Sequence, residues 1–379
     1  MLSPITAPAA DGYRMPAEWE EHSRTWMLWP FRPDVWRENA RPAQAAFAAV
    51  AAAIARFEPV RVGALPELVE AARGLLPPAV EVVAVAYNDA WVRDSGPTFL
   101  VDGPAPGFRP FDKFRPPQAQ PTGAGGLAGV DWIFNAWGGH YANFSADDAL
   151  AGHILGCVGA RRYRADLVME GGALHVDGEG TLLVVEECLL HRNRNPHLSK
   201  GEIEARLKDY LNVQTVIWLP YGVVNDETAG HVDNLACFVR PGFVALTWTD
   251  DAHDPQHARS LAAEHTLLAS RDAQGRRLEV HRIHQPGPLF MTDGEASTIL
   301  PAPGSRPRFG GARLAGSYIN HYIVNRGVIV PVFDDPHDAP ALAKLAELYP
   351  NREIVPVPGR EILLGGGNVH CITQQQPKG

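Results

Sequence analysis

Ile362-Leu363-Leu364-Gly365-Gly366-Gly367-Asn368-Val369-His370-Cys371-Ile372 runs from an apolar stretch into a glycine-rich polar turn and back into an apolar stretch. Four other segments share this shape. Val82-Val83-Ala84-Val85 leads through Asn88-Asp89-Ala90-Trp91-Val92-Arg93-Asp94-Ser95-Gly96-Pro97 to Thr98-Phe99-Leu100-Val101. Leu167-Val168-Met169 leads through Glu170-Gly171-Gly172 to apolar runs at 173–176 and 181–185. Val216-Ile217-Trp218-Leu219 is followed by a loop to Gly230, then His231-Val232-Asp233-Asn234 and an apolar run at 235–239. Ser317-Tyr318-Ile319-Asn320 continues through Val328-Ile329-Val330. Apolar and β-branched runs on either side of a Gly, Asn or Asp turn read as strand, turn and strand. A loose repeat of such units points to a modular architecture.

Helical patterns fall at 42–57, 66–76, 147–155, 199–211, 256–269 and 340–349, several behind turn or capping residues. Strands start at 60 and span 80–86. Each repeat therefore has a helix beside it. The expected fold is α/β: a closed, pseudo-symmetric ring of five αβ modules around a central active site. Closure removes exposed sheet edges and brings every turn to one axial mouth. A two-domain doubly wound fold is the rival, but no GxGxxG opens a helix in this chain. Residues 1–379 read as one catalytic domain, with the Pro/Gly-rich stretch 103–126 as an ordered surface loop.

The chain has 379 residues, 45% apolar and 20% charged, a composition able to bury a core. Its net charge of −9 argues against nucleic acid or an anionic membrane as partner and suits a cationic ligand. The four cysteines form no CxxC pair, which suggests a reducing compartment. Met1-Leu2-Ser3-Pro4-Ile5 shows no basic start to a signal peptide, and the apolar stretch at 45–55 is too short to span a bilayer. A cytoplasmic location is expected.

Cys371 stands out as a nucleophile because glycines let the backbone before it approach a ligand closely, with a polar Gln374-Gln375-Gln376 tail after it. Cys157, Cys188 and Cys237 lie in apolar runs and read as small buried hydrophobes. A thiol needs a proton acceptor, and His231 with Asp233 would share one face of a strand. Asp94 and Glu170 sit at turns, where an unpaired buried acid would be costly. A cationic substrate would supply the missing partner. One cysteine, one histidine and three acids are equipment for attack on a guanidinium.

Five stretches carry a family resemblance. These are 91–97, Met169-Glu170-Gly171-Gly172 with 175–180, Asn193-Arg194-Asn195-Pro196, Asp226-Glu227-Thr228 with 230–234, and 365–376. With them the chain, from Met15 to its end, resembles the agmatine deiminase family of the guanidine-modifying superfamily of five-bladed α/β propellers. The resemblance implies that Cys371 is the nucleophile, His231 the acid/base and Glu170 a catalytic carboxylate. Asp94 and Asp233 would grip the guanidinium, with Trp91 packed beside it. Three departures touch loops or blade packing: a shorter stretch at 138–145, Ala229 and His321.

The implied reaction is hydrolysis of a linear amidine C–N bond. Agmatine gives N-carbamoylputrescine and ammonia through an S-alkylthiouronium on Cys371. No cofactor and no metal are expected. His253 and His257, spaced i, i+4, read as a solvated helix face. Glu227, four residues before His231, is the acid expected to meet the substrate amine, in a site with nothing cationic for a carboxylate. Free arginine or peptidyl-arginine as substrate, an amidinotransferase, and an inactive propeller binding a macromolecular partner are the alternatives. Assembly into a homo-oligomer is left open.

Overall fold

Strand order repeats five times along the chain. The computed structural model describes residues 7–103 and 126–379. The loop expected over 103–126 therefore lies almost wholly outside the described residues, as does the stretch 1–6. In every module a first strand pairs antiparallel with a second, and a helix returns the chain to a third strand parallel to the second. Thr98–Asp102, Leu127–Ile133 and Arg161–Val168 form one such sheet, with Tyr13–Arg14 at its edge. His175–Val176, Thr181–Val185 and Thr215–Leu219 form the next. Ala236–Arg240, Phe243–Trp248 and Glu279–His284 follow, then Tyr322–Val324, Gly327–Val332 and Glu353–Pro358.

The fifth sheet joins the two ends of the chain. Gln374–Pro377 runs antiparallel to His22–Leu28, which pairs in parallel with Val60–Ala64 and, beyond it, Glu81–Ala84. The glutamines are thus not the polar tail expected after Cys371 but a buried strand. Their backbone joins a ladder, and the Trp26 indole donates to Gln376 Oε1 at 3.0 Å, so burial leaves few amide groups unpaired.

The crossover helices form for local reasons. Arg41–Ile54 opens with a proline in its first turn and buries Ala43, Phe47, Val50 and Ile54, the spacing of one helical face. Lys200–Leu211 starts at a capping box made by Ser199 and Glu202. Ser145–Cys157, Pro255–Ala269 and Asp338–Leu348 complete the set. Pro255–Ala269 packs on Thr215–Leu219, Asp338–Leu348 on Glu279–His284, and Arg41–Ile54 on Glu353–Pro358. Each of these helices touches the third strand of the preceding module, which seals the ring. The stretch 66–76 divides into a 3₁₀ turn, Pro66–Leu68, and a helix, Val69–Leu75.

The repeat seen in sequence straddles module boundaries. In three of the five units the first strand is the last of one sheet and the second strand the first of the next. Ile362 and Leu363 lie instead in the short helix Arg360–Leu363, not in the expected strand, and Ser317–Asn320 is itself a turn, but all five turns are junctions between modules. Such junctions lie at 92–95, 171–173, 232–235, 317–321 and 368–371, and each meets others around the axis. Arg93 N–H donates to the Cys371 carbonyl, Gly172 N–H to Asp94, and Asn320 Nδ2 to the Cys371 sulfur.

Candidate active site

Asp94 lies in a single helical turn, Val92–Ser95, that points it inward. Its Oδ1 accepts the Gly172 N–H at 2.9 Å and its Oδ2 the Trp137 indole at 2.9 Å. Glu170 enters from the next junction and holds the Arg194 Nε at 3.0 and 3.1 Å. His231 precedes the short helix Val232–Leu235 and is fully buried. Its Nδ1 stands 3.8 Å from Asp94 Oδ1 and its Nε2 3.6 Å from Glu170 Oε2. Neither ring nitrogen makes a hydrogen bond among the described residues. Cys371 Sγ is 3.6 Å from Asp233 Oδ2 and 3.2 Å from Asn320 Nδ2.

Two glycines make this convergence possible. A Cβ on Gly172 would come within 2.6 Å of His231 Nδ1 and 2.9 Å of both Asp233 Oδ2 and Asp94 Oδ1. One on Gly367 would meet the Trp91 ring at 2.7 Å and Cys371 at 3.0 Å. Trp91 is backed by Trp36, with ring centroids 5.2 Å apart. Trp91, Asp94 and Cys371 face a cleft of about 590 Å³.

Burial sets the proton affinities, and neighbours correct it. Burial pushes the Asp94 carboxyl up to about 6, with the charges of Asp233 and Glu170 adding to it and His231 opposing. Burial would raise Glu170 as well, but Arg194 and His231 bring it down to about 2. His231 is raised well above the usual histidine value: burial works against its charge, and Asp94, Cys188 and Glu170 outweigh it. Burial raises the Cys371 thiol, and the charges of Asp233 and Asp94 raise it further. The resting floor is therefore a neutral thiol beside an imidazolium.

The chain is similar to known proteins over nearly its whole length. The family model described as Porphyromonas-type peptidyl-arginine deiminase matches residues 14–377. A curated agmatine deiminase of Pseudomonas aeruginosa is 55% identical over 100% of this chain and 99% of its own length. The chain belongs to the agmatine deiminase family. A Stutzerimonas stutzeri agmatine deiminase is likewise 55% identical, over 100% of this chain and 99% of that protein. The solved agmatine deiminase of Enterococcus faecalis superposes with a TM-score of 0.90 at 41% identity, covering 100% of this chain and 99% of that one. A solved putative arginine deiminase of Porphyromonas gingivalis superposes at 0.80 with 28% identity, over 97% and 99%.

Within the family frame, four expectations change. His231 and Asp233 do not share a strand face. They lie on a helical turn and diverge, His231 toward Glu170 and Asp94, Asp233 toward His370 and Cys371. Glu227 lines the cleft, but the Arg308 guanidinium grips it at 2.9 and 3.0 Å. The rim also carries Arg32 and Arg306, contrary to a mouth without cations. Arg32 is held by Asp34 and Asp89, whereas the nearest acid to Arg306 is Glu227 at 3.9 Å. Cys157 is exposed near a helix end rather than buried, while Cys188 and Cys237 are buried as expected. His253 precedes the helix Pro255–Ala269 and is exposed, while His257 turns its Nδ1 to the Thr249 carbonyl at 2.8 Å.

The departures from the family pattern have visible places. Ala229 takes a left-handed φ of 66°, and His321 is buried between the Tyr318 carbonyl and the Tyr349 hydroxyl. Sequence reasoning missed Arg194, Cys188, Asn320, Trp137, His370, Arg93 and Glu18. The stretches 91–97, 193–196 and 365–376 and the repeat segment 317–320 held Arg93, Arg194, His370 and Asn320 without giving them a role. Glu170, Cys188 and His231 present ligand atoms within 4.8 Å of one another, a set that could hold a metal ion. Arg194 already supplies the positive charge that Glu170 takes.

Proposed function

We infer that the chain is a hydrolase that deiminates agmatine to N-carbamoylputrescine and ammonia. The observation that supports this most is the buried floor itself: one thiol, one histidine and three carboxylates drawn from four junctions. Asp233 Oδ1 and both His231 nitrogens lack hydrogen-bond partners among the described residues. An unpaired buried carboxylate oxygen is costly, and a guanidinium N–H would satisfy Asp233 Oδ1, while the two imidazolium N–H groups of His231 stay available as donors.

Binding brings a positive charge against Asp94 and Asp233, whose negative charges hold the Cys371 proton. Substrate thus favours release of that proton to solvent, where the ammonia formed later takes one up. The thiolate attacks the central guanidinium carbon, giving a neutral tetrahedral adduct with both carboxylates on its nitrogens. His231, already an imidazolium, donates its proton to one nitrogen, and ammonia leaves. The S-alkylthiouronium on Cys371 remains, beside a neutral His231. Water attacks that carbon and His231 takes one of its protons. Collapse expels the Cys371 thiolate, the remaining hydroxyl proton passes to it, and the ureido product departs with the thiol and the imidazolium restored. Glu170 keeps the imidazolium in place, and Trp91 walls the flat guanidinium.

Since the site draws on junctions all round the ring, residues 1–379 act as one catalytic domain. The net charge of −9 supports a cationic small molecule rather than nucleic acid. No helix among the described residues is long and apolar enough to cross a membrane, and a cytoplasmic setting suits the free thiols. Self-association stays open.

Arg306 supports a second reading, in which a carboxylate-bearing substrate such as arginine competes at the rim. Ammonia release from agmatine, arginine and a blocked arginine peptide by the purified protein separates the two. Mass spectrometry of protein acid-quenched during turnover is expected to show an adduct on Cys371. No adduct there would remove the covalent route.

A further inference from the structure

The chain of charges continues behind the floor. His370, the residue before the nucleophile, has Nδ1 2.9 Å from Asp233 Oδ2 and Nε2 2.8 Å from Glu18 Oε1. All three side chains are buried. A neutral imidazole has one N–H and can donate to only one of two carboxylates; serving both requires the imidazolium. Arg93 donates from Nη1 to Glu18 Oε1 at 3.4 Å and from Nε to the His370 carbonyl at 3.3 Å. Two carboxylates therefore balance two cations, the condition under which buried charges are tolerated.

The other titratable groups around this set do not compete. His175 Nδ1 accepts the Phe238 N–H at 3.2 Å, so its proton is on Nε2, 3.7 Å from Glu18 Oε2. Burial brings both His175 and His321 down to about 4, which leaves those rings neutral. From the front, His231, Asp94 and Cys371 face Asp233. Glu18 lies on the far side of His370 and is not part of the cleft wall.

We propose that His370 is a positioning residue: held as an imidazolium by Glu18, it fixes Asp233 Oδ2 and keeps that carboxylate charged, leaving Oδ1 for the guanidinium. This rests on the reading of Asp233 as a guanidinium ligand. Glu18 is not part of the cleft wall, so its removal tests the relay without taking away a group that faces substrate. Without Glu18, the charge of Arg93 beside His370 is unopposed and drives the ring to its neutral form. Asp233, still buried, then takes up a proton at higher pH.

The test is the pH dependence of agmatine kinetics for wild type, Glu18→Gln and His370→Asn. The asparagine keeps an amide donor toward Asp233 but no charge. Each variant should lose about tenfold in kcat/KM at neutral pH, mainly through KM. The acid limb, which Asp94 sets at about 6 in the wild type, should become steeper as Asp233 also takes up a proton in that range. The double variant should be no worse than the poorer single one, because both act through one group. A folded Glu18→Gln or His370→Asn with wild-type KM and acid limb overturns the proposal, as do additive losses in the double variant. Should Glu18→Gln fail to fold, His370→Asn carries the same test. A wild type that releases no ammonia from agmatine contradicts the functional reading instead. The relay is then read from the pH dependence of guanidinium binding in the same proteins.

Discussion

On the floor of the cleft, Glu170 is tied to Arg194, but the two acids facing the substrate, Asp94 and Asp233, are held by a backbone N–H, an indole and an imidazole; at the rim the carboxylates are tied to arginines. Asp94 takes Gly172 N–H and the Trp137 indole, and Asp233 takes His370 and keeps Oδ1 without a partner among the described residues. Glu227 is bidentate to Arg308, which also donates to the Gly365 carbonyl at 2.7 Å. Asp34 and Asp89 share Arg32. The floor thus has negative charge to offer an incoming cation, whereas the rim must give up an existing pair to do so. Charge left open to an incoming cation suits chemistry; charge already paired suits selection among substrates and is worth less.

The largest effect should come from the floor's thiol. Cys371→Ser is expected to lose roughly a thousandfold or more in kcat while agmatine still binds, because the carboxylates are untouched. Steady-state kinetics beside calorimetric binding checks this, and appreciable turnover by the serine variant would remove the nucleophile assignment. At the exposed Cys157, alanine should leave activity within about twofold.

Next come the carboxylates. Asp94→Asn and Asp233→Asn should each cost about ten- to a hundredfold in kcat/KM, the worth of a charge-assisted hydrogen bond. If both stay within twofold, these acids are structural turn residues and the contrast between floor and rim fails.

The raised Asp94 carboxyl makes a pH prediction with a definite sign. Its folded value of about 6 lies above the ordinary 3.8. Between those values the folded protein holds a proton that the unfolded chain has released. Stability contributed by this group is full below about pH 4 and falls by about 3 kcal/mol as pH rises through about 6. A bound cation offsets that loss. Agmatine should therefore raise the Tm of Cys371→Ser more at pH 7 than at pH 5, and kcat/KM should fall about tenfold per pH unit below about 6. Equal Tm shifts at the two pH values would count against an ionised Asp94 as the guanidinium ligand.

The rim gives the smallest effect. Glu227→Gln should raise the KM for agmatine about two- to fivefold, with kcat nearly unchanged. It also frees Arg308, so discrimination against arginine should relax. Parallel kinetics on the two substrates would sharpen the comparison, and a fall in kcat equal to that seen for Asp94→Asn would erase it.

The sequence alone determined the modular α/β repeat, the six helices and the identities of the floor residues, because these are written locally. Helical spacing from Ala43 to Ile54, the Ser199 capping box and glycine beside each reactive residue are short-range signals that survive in a linear reading. Tertiary structure alone decided what those residues face. Glu227 read as a free acid because Arg308 is 81 positions away. Gln374–Gln376 read as a polar tail because the strand that buries them, His22–Leu28, lies at the other end of the chain. Glu18 gave no signal at all, since it reaches His370 across 352 residues. Proton affinities followed the same division: residue type fixes the ordinary value, while burial and a partner distant in sequence set how far Asp94, Glu170 and His231 depart from it.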